Sequence, residues 1–74
     1  MKKTNLQLKL FKQLNAKIPA HVSMAEEVAE LLEISTDSAY RRINGSEPLL
    51  LEEALKICKK HGISLDKLMG FPAQ

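Results

Sequence analysis

Residues 28–45 read VAELLEISTDSAYRRING, and their spacing predicts two helices that meet at a very tight turn. Ala25, Val28, Ala29 and Leu32 recur at helical intervals and make one apolar stripe. Ser23 and Glu26 just upstream have the spacing of a capping box, so this helix begins after Ser23 and ends near Leu32. Only Glu33 and Ile34 then precede Ser35, an N-cap for a helix over residues 36–44 that Gly45 closes.

The second of these helices buries little. At 100° per residue Ala39 and Ile43 share one side, which must pack on the body of the domain. Arg41 and Asp37 lie opposite, Ser38 and Asn44 beside them, and Tyr40 and Arg42 flank the seam. A thin apolar strip beneath long hydrogen-bonding side chains suits a helix that enters a groove. The major groove of DNA admits one α-helix and shows guanine acceptors that an arginine can take in pairs. Two helices joined by so short a turn, the second polar and outward, form the helix-turn-helix pattern.

The flanking sequence predicts three more helices. Leu6, Leu10, Phe11, Leu14 and Ile18 define one over residues 4–17, which Pro19 ends. Leu51, Ala54, Leu55, Ile57 and Cys58 point inward from another over residues 51–61, with Glu52 and Glu53 in its first turn and Lys59, Lys60 and His61 in its last, as the helix dipole favours. Gly62 stops it, and Ser64 caps a short helix over residues 65–69. No stretch alternates as a strand would, so the expected fold is all-α, five short helices with the helix-turn-helix at the second and third.

Composition narrows the function. A chain of 74 residues has room for one small domain, and a deep catalytic cleft is not expected. Cys58 is the sole cysteine, and His21 and His61 stand alone, so neither a disulfide nor Cys/His metal spacing is available. These features suit a reducing cytoplasm. The lysine-rich start is broken by Gln7, Lys9 and Lys12 before any secretory stretch can form, and the longest apolar run is Leu49 to Leu51, far short of a membrane span. Net charge is only +2, yet residues 1–20 hold five lysines and no acid, and residues 21–40 hold five acids and no base. That segregation can give one basic face, the minimum an anionic partner requires.

Residues 28–45 also resemble the helix-turn-helix core of lambda-repressor and Cro-type regulators, which runs approximately L-A-x-x-L-G-V-S-x-x-T-I-S-R-x-x-x-G. The tail LEEALKICKKHGISLDKLM, residues 51–69, is similar to that family's fourth and fifth helices, so the resemblance covers residues 22–69 with helix one fitting by position. Three positions depart from it. Glu33 stands where the turn usually has glycine, which places a side chain in a left-handed conformation at roughly 1 kcal/mol. Leu50 replaces the usual Ser or Thr cap. Arg42 stands where the family buries an aliphatic residue, with Ile43 apolar one place later, which leaves the rotation of helix three open.

The resemblance implies base contacts from Thr36, Asp37 and Arg41. It implies phosphate contact at the start of helix two, where Met24 and Ala25 can offer only backbone N–H groups and Ser23 a hydroxyl. Ser38, Tyr40, Arg42, Asn44 and Ser46 complete the candidate DNA-binding set at the groove edges. Plainer roles stand beside these. Arg41 and Asp37 can pair along the helix, Tyr40 can pack through its ring, Glu26, Glu27 and Glu30 read as a solvated face, Cys58 as a core thiol and His61 as a dipole partner. The expectation is a sequence-specific DNA-binding domain of a bacterial-type transcriptional regulator, without catalysis, cofactor or metal. Its partner would be double-stranded DNA, with the lysines of helix one and helix-two backbone groups on phosphate. A homodimer on half-sites about 34 Å apart, or more protein beyond Gln74, would supply the affinity one unit lacks. The alternatives are a protein-interaction module on the same fold and binding to structured RNA.

Overall fold

In the computed structural model, which describes residues 6–68, a serine starts three of the five helices. The helices are α1 (Leu6–Lys17), α2 (Met24–Leu32), α3 (Thr36–Ile43), α4 (Leu51–His61) and α5 (Leu65–Leu68), with no strand among the described residues. The hydroxyls of Ser23, Ser35 and Ser64 accept from the backbone N–H groups of Glu26, Ser38 and Lys67, satisfying one orphan donor of each first turn. The expected helix ends at Thr4 and Met69 lie outside the described residues. Asn44 is the C-cap of α3 rather than its last residue.

One turn is used twice. After α2, Glu33 takes the left-handed conformation (φ 60°, ψ 46°) and the Ile34 N–H reaches back to Ala29 O at 3.0 Å. After α4, Gly62 does the same (φ 67°, ψ 37°) and the Ile63 N–H reaches Cys58 O at 3.0 Å. In both places the isoleucine folds back onto the core and the next residue is the serine that starts the following helix. The structure thus bears out the left-handed conformation expected at Glu33.

Leu10, Phe11 and Leu14 of α1, Val28, Ala29 and Leu32 of α2, Ala39 of α3, Ile57 and Cys58 of α4, and Ile63 and Leu68 form the buried core. Burial of each large apolar side chain there favours folding by about 1.5–3 kcal/mol. α2 packs chiefly on α3, while α1 touches α3, α4 and α5. Two readings of the apolar pattern are corrected. Leu51 and Leu55 do not face inward but are 72% and 48% exposed, because the apolar arc of α4 is wider than the surface its neighbours present. Leu6 at the start of α1 is also only partly covered, at 37% exposed. Glu27 is not a solvated carboxylate: its Oε2 lies 2.9 Å from Lys60 Nζ and 3.1 Å from His61 Nε2, tying α2 to the end of α4.

A polar junction fixes α3 to the rest. The Arg42 side chain is only 15% exposed; its Nε and Nη2 donate to Glu53 Oε1 and Oε2 at 3.0 and 3.4 Å, and its Nη1 to Ser38 O and Glu47 Oε1. Glu53 Oε1 also accepts from the Leu50 N–H at 3.0 Å, so the carboxylate starts α4 where leucine, a hydrocarbon, offers no acceptor. From α1, Gln7 Nε2 donates to the carbonyls of Arg42 and Glu47 at 2.7 Å each, and its Oε1 accepts from the Leu49 N–H. Burial pushes the Glu53 carboxyl up, but the Arg42 guanidinium and the Leu50 N–H hold it below its ordinary value. The Lys60 ammonium does the same for Glu27 against its burial, with help from His61.

Three outcomes follow for stability. Glu53→Ala strands a half-buried guanidinium and lowers unfolding free energy in urea by on the order of 3 kcal/mol, whereas Glu47→Ala, at an exposed partner, costs under about 1 kcal/mol. Both depressed carboxylates stabilise the fold fully above the unfolded-chain value of 4.5; that contribution declines as pH falls through 4.5 and is gone below their folded values, so melting temperature drops across that window. Glu33→Gly removes a side chain from a left-handed residue and raises unfolding free energy by up to about 1 kcal/mol.

Candidate nucleic-acid interface

The orientation of α3 follows from what it hides. Ala39 is fully buried and Ile43 packs on the core edge, while Arg42 turns into the junction with Glu53 and Glu47. Both members of the exchanged Arg42–Ile43 pair therefore face the body. The helix turns outward Thr36, Asp37, Tyr40 and Arg41, all exposed, and Asn44 at its C-cap is exposed as well. The Tyr40 side is 59% exposed, so the ring is not spent on the core.

On this face Arg41 Nη2 and Asp37 Oδ2 pair at 2.8 Å across one turn, with both side chains more than half exposed. Such a pair is worth only about 0.3–0.5 kcal/mol, and a competing acceptor can take the guanidinium from it. Asp37 in the first turn and Arg41 in the last also match the helix dipole. Asn44 Oδ1 accepts from the Ser46 N–H at 2.9 Å, which bends the chain out of the helix, and Gly45 takes φ 88° there. Ser46 is exposed beside it.

The remaining candidates divide. Ser23 is exposed at the start of α2, with its hydroxyl already capping Glu26 N–H. Ser38 is half-buried; its N–H is held by Ser35 Oγ and its carbonyl by Arg42. Arg42 differs from the other groove-edge candidates: its Nε, Nη1 and Nη2 donate to Glu53, Glu47 and Ser38 O inside the protein. Lys9 and Lys12 line a groove with Lys67 between α1 and α5, and Lys9 Nζ reaches Leu68 O at 3.4 Å. They stand roughly 140° to 160° around α1 from Gln7, the residue that grips the end of α3.

The residues that position the face were not evident from the sequence as functional. Glu53 carries a signal, since a glutamate three places after an N-cap often reaches back to it. Gln7 carries none: its three backbone partners lie 35 to 42 positions away. Among the described residues no group of three or more His, Cys, Asp or Glu could hold a metal ion, and no helix is long and apolar enough to cross a membrane.

No curated protein and no solved structure matches the chain. The family model of the BetR domain, a helix-turn-helix-like domain of a regulator family, matches it over residues 3–74. A short α2–α3 turn with a polar, outward second helix is what such a domain requires, and the match spans nearly the whole chain: it belongs to the BetR domain family.

Proposed function

We propose that this domain binds double-stranded DNA sequence-specifically by laying α3 in the major groove, in the manner of the lambda-repressor and Cro-type regulators it resembles. The observation that carries the reading is the division of labour between two adjacent arginines. Arg42 is consumed in mounting the helix, and Arg41, one residue away, is presented on the outer face with only a weak, exposed partner. A helix that served only packing would have no use for so firm a mount beneath so polar a face.

In this reading Arg41 donates in pairs to guanine O6 and N7, leaving Asp37 to stabilise the helix start or accept from a cytosine amino group. Thr36 sits at the end of α3 that reaches deepest into the groove. Tyr40, Asn44, Ser46 and the backbone N–H groups beside Ser23 contact phosphate and set the register. The domain acts as a reader within a regulator, and no catalytic step is assigned to it.

Sites selected from a random duplex library provide the test. Arg41→Ala weakens binding to a selected site by about 5- to 150-fold and relaxes preference at one base pair, while lowering the melting temperature of the domain by no more than about 4 °C. The affinity of the parent chain falls as salt is raised, log Kd changing linearly with log salt with a slope set by the few cations that meet phosphate. Unchanged binding by Arg41→Ala, with binding lost in Lys9→Ala or Lys12→Ala, would show that another face contacts DNA.

A further inference from the structure

The leucines left outside by α4 make one continuous apolar edge. Leu51 and Leu55 are one helical turn apart, Leu50 precedes them, and Leu51 borders an open groove lined by Leu6, Leu10, Ala54 and Leu68. Isolated exposed leucines are ordinary, but a row beside a groove marks a contact surface.

The charges around that edge say what covers it. At 100° per residue, Glu53 and Lys60 fall on the far side of α4 and His61 about 100° away, and Arg42 and Glu27 engage all three. Lys56 is turned about 100° from Leu55. The charged residues of α4 that flank the leucines are Glu52 and Lys59, opposite in sign and roughly one turn to either side of Leu55.

We infer that this edge joins two copies of the chain as an antiparallel α4–α4 pair about a two-fold axis at Leu55. A rise of about 1.5 Å per residue sets Glu52 about 4.5 Å to one side of that axis and Lys59 of the second copy about 6 Å to the same side. Two Glu52–Lys59 pairs therefore flank a Leu55–Leu55 contact, and the aliphatic stem of each Lys59 covers Leu51 of the other copy. A two-fold contact demands such self-complementarity, whereas a parallel pairing would set Glu52 against Glu52. The area offered by one edge of an eleven-residue helix is below the ~800 Å² per partner of a standard interface, so the free dimer is weak. Since Arg42 and Glu53 fix α3 to the start of α4, pairing through α4 also fixes the separation of two α3 helices. That consequence for DNA rests on the proposed function; the pairing itself does not.

Sedimentation equilibrium on the 74-residue chain tests the pairing, with circular dichroism confirming the fold of each variant. A concentration-dependent monomer–dimer equilibrium is expected. Leu55→Asp abolishes it without lowering the melting temperature of the dilute monomer. Glu52→Lys and Lys59→Glu each weaken dimerisation at least tenfold, and the double exchange restores it. A chain monomeric up to millimolar concentration, or a double exchange that restores nothing, overturns the pairing. So does a Leu55→Asp chain that unfolds as a monomer, which would mean that the edge belongs to the packing of the single chain. A dimer without DNA affinity supports the interface and refutes only the DNA reading; a monomer that binds selected DNA does the reverse.

Discussion

The ion pair between Arg42 and Glu53 sets the geometry on which the rest of the structure depends. Both side chains are largely withdrawn from water, which is costly for a guanidinium and a carboxylate unless their remaining hydrogen-bonding positions are filled. They are filled: Arg42 also reaches Ser38 O and Glu47, and Glu53 also holds the Leu50 N–H. The end of α3, the closure of the loop and the beginning of α4 are consequently one cooperative unit rather than three local events. With only Ala39 fully buried on α3, apolar packing alone would leave its rotation weakly specified.

Much of the architecture could be read from residue order because the signals are local. Serine caps, the stops at Gly45 and Gly62, and the left-handed residue at Glu33 each depend on neighbours within a few positions. The failures share the opposite character. Arg42 sits beside the seam on a helical wheel, and nothing near it announces a partner eleven positions away on another helix. Leu51 and Leu55 belong to a wide apolar arc whose covered half depends on where other helices stop. Glu27 looked solvated because Lys60 and His61 come to it from the far end of α4. The outer face of α3 was legible in part: Asp37 and Arg41 lie opposite the apolar strip on the wheel and are exposed, whereas Tyr40, beside the seam on the wheel, turns out exposed and Ser38 half-buried. The way the helix is anchored was not legible, being a property of tertiary distance.

The charge distribution takes on a different meaning once pairs are removed. The acidic second helix and the basic last turn of α4 partly cancel through Glu27, Lys60 and His61, and Arg42 is cancelled by Glu53 and Glu47. The outer face of α3 is left with one guanidinium opposed by one carboxylate. A surface so nearly neutral draws little on long-range attraction to phosphate, which depends on many uncompensated cations. Discrimination on such a face would come from hydrogen-bond geometry more than from charge.

The repeated turn, left-handed residue then isoleucine then serine, has a mechanical consequence. Between α2 and α3 it leaves no residue free to act as a hinge: Glu33 is locked by its hydrogen-bonded cap, Ile34 is anchored on the core and Ser35 is committed to Ser38 N–H. The angle of α3 is thus built in rather than adjusted on contact. If a duplex accommodates this helix, the duplex must do the bending, and sequences with pliable pyrimidine–purine steps would be favoured even at positions no side chain touches.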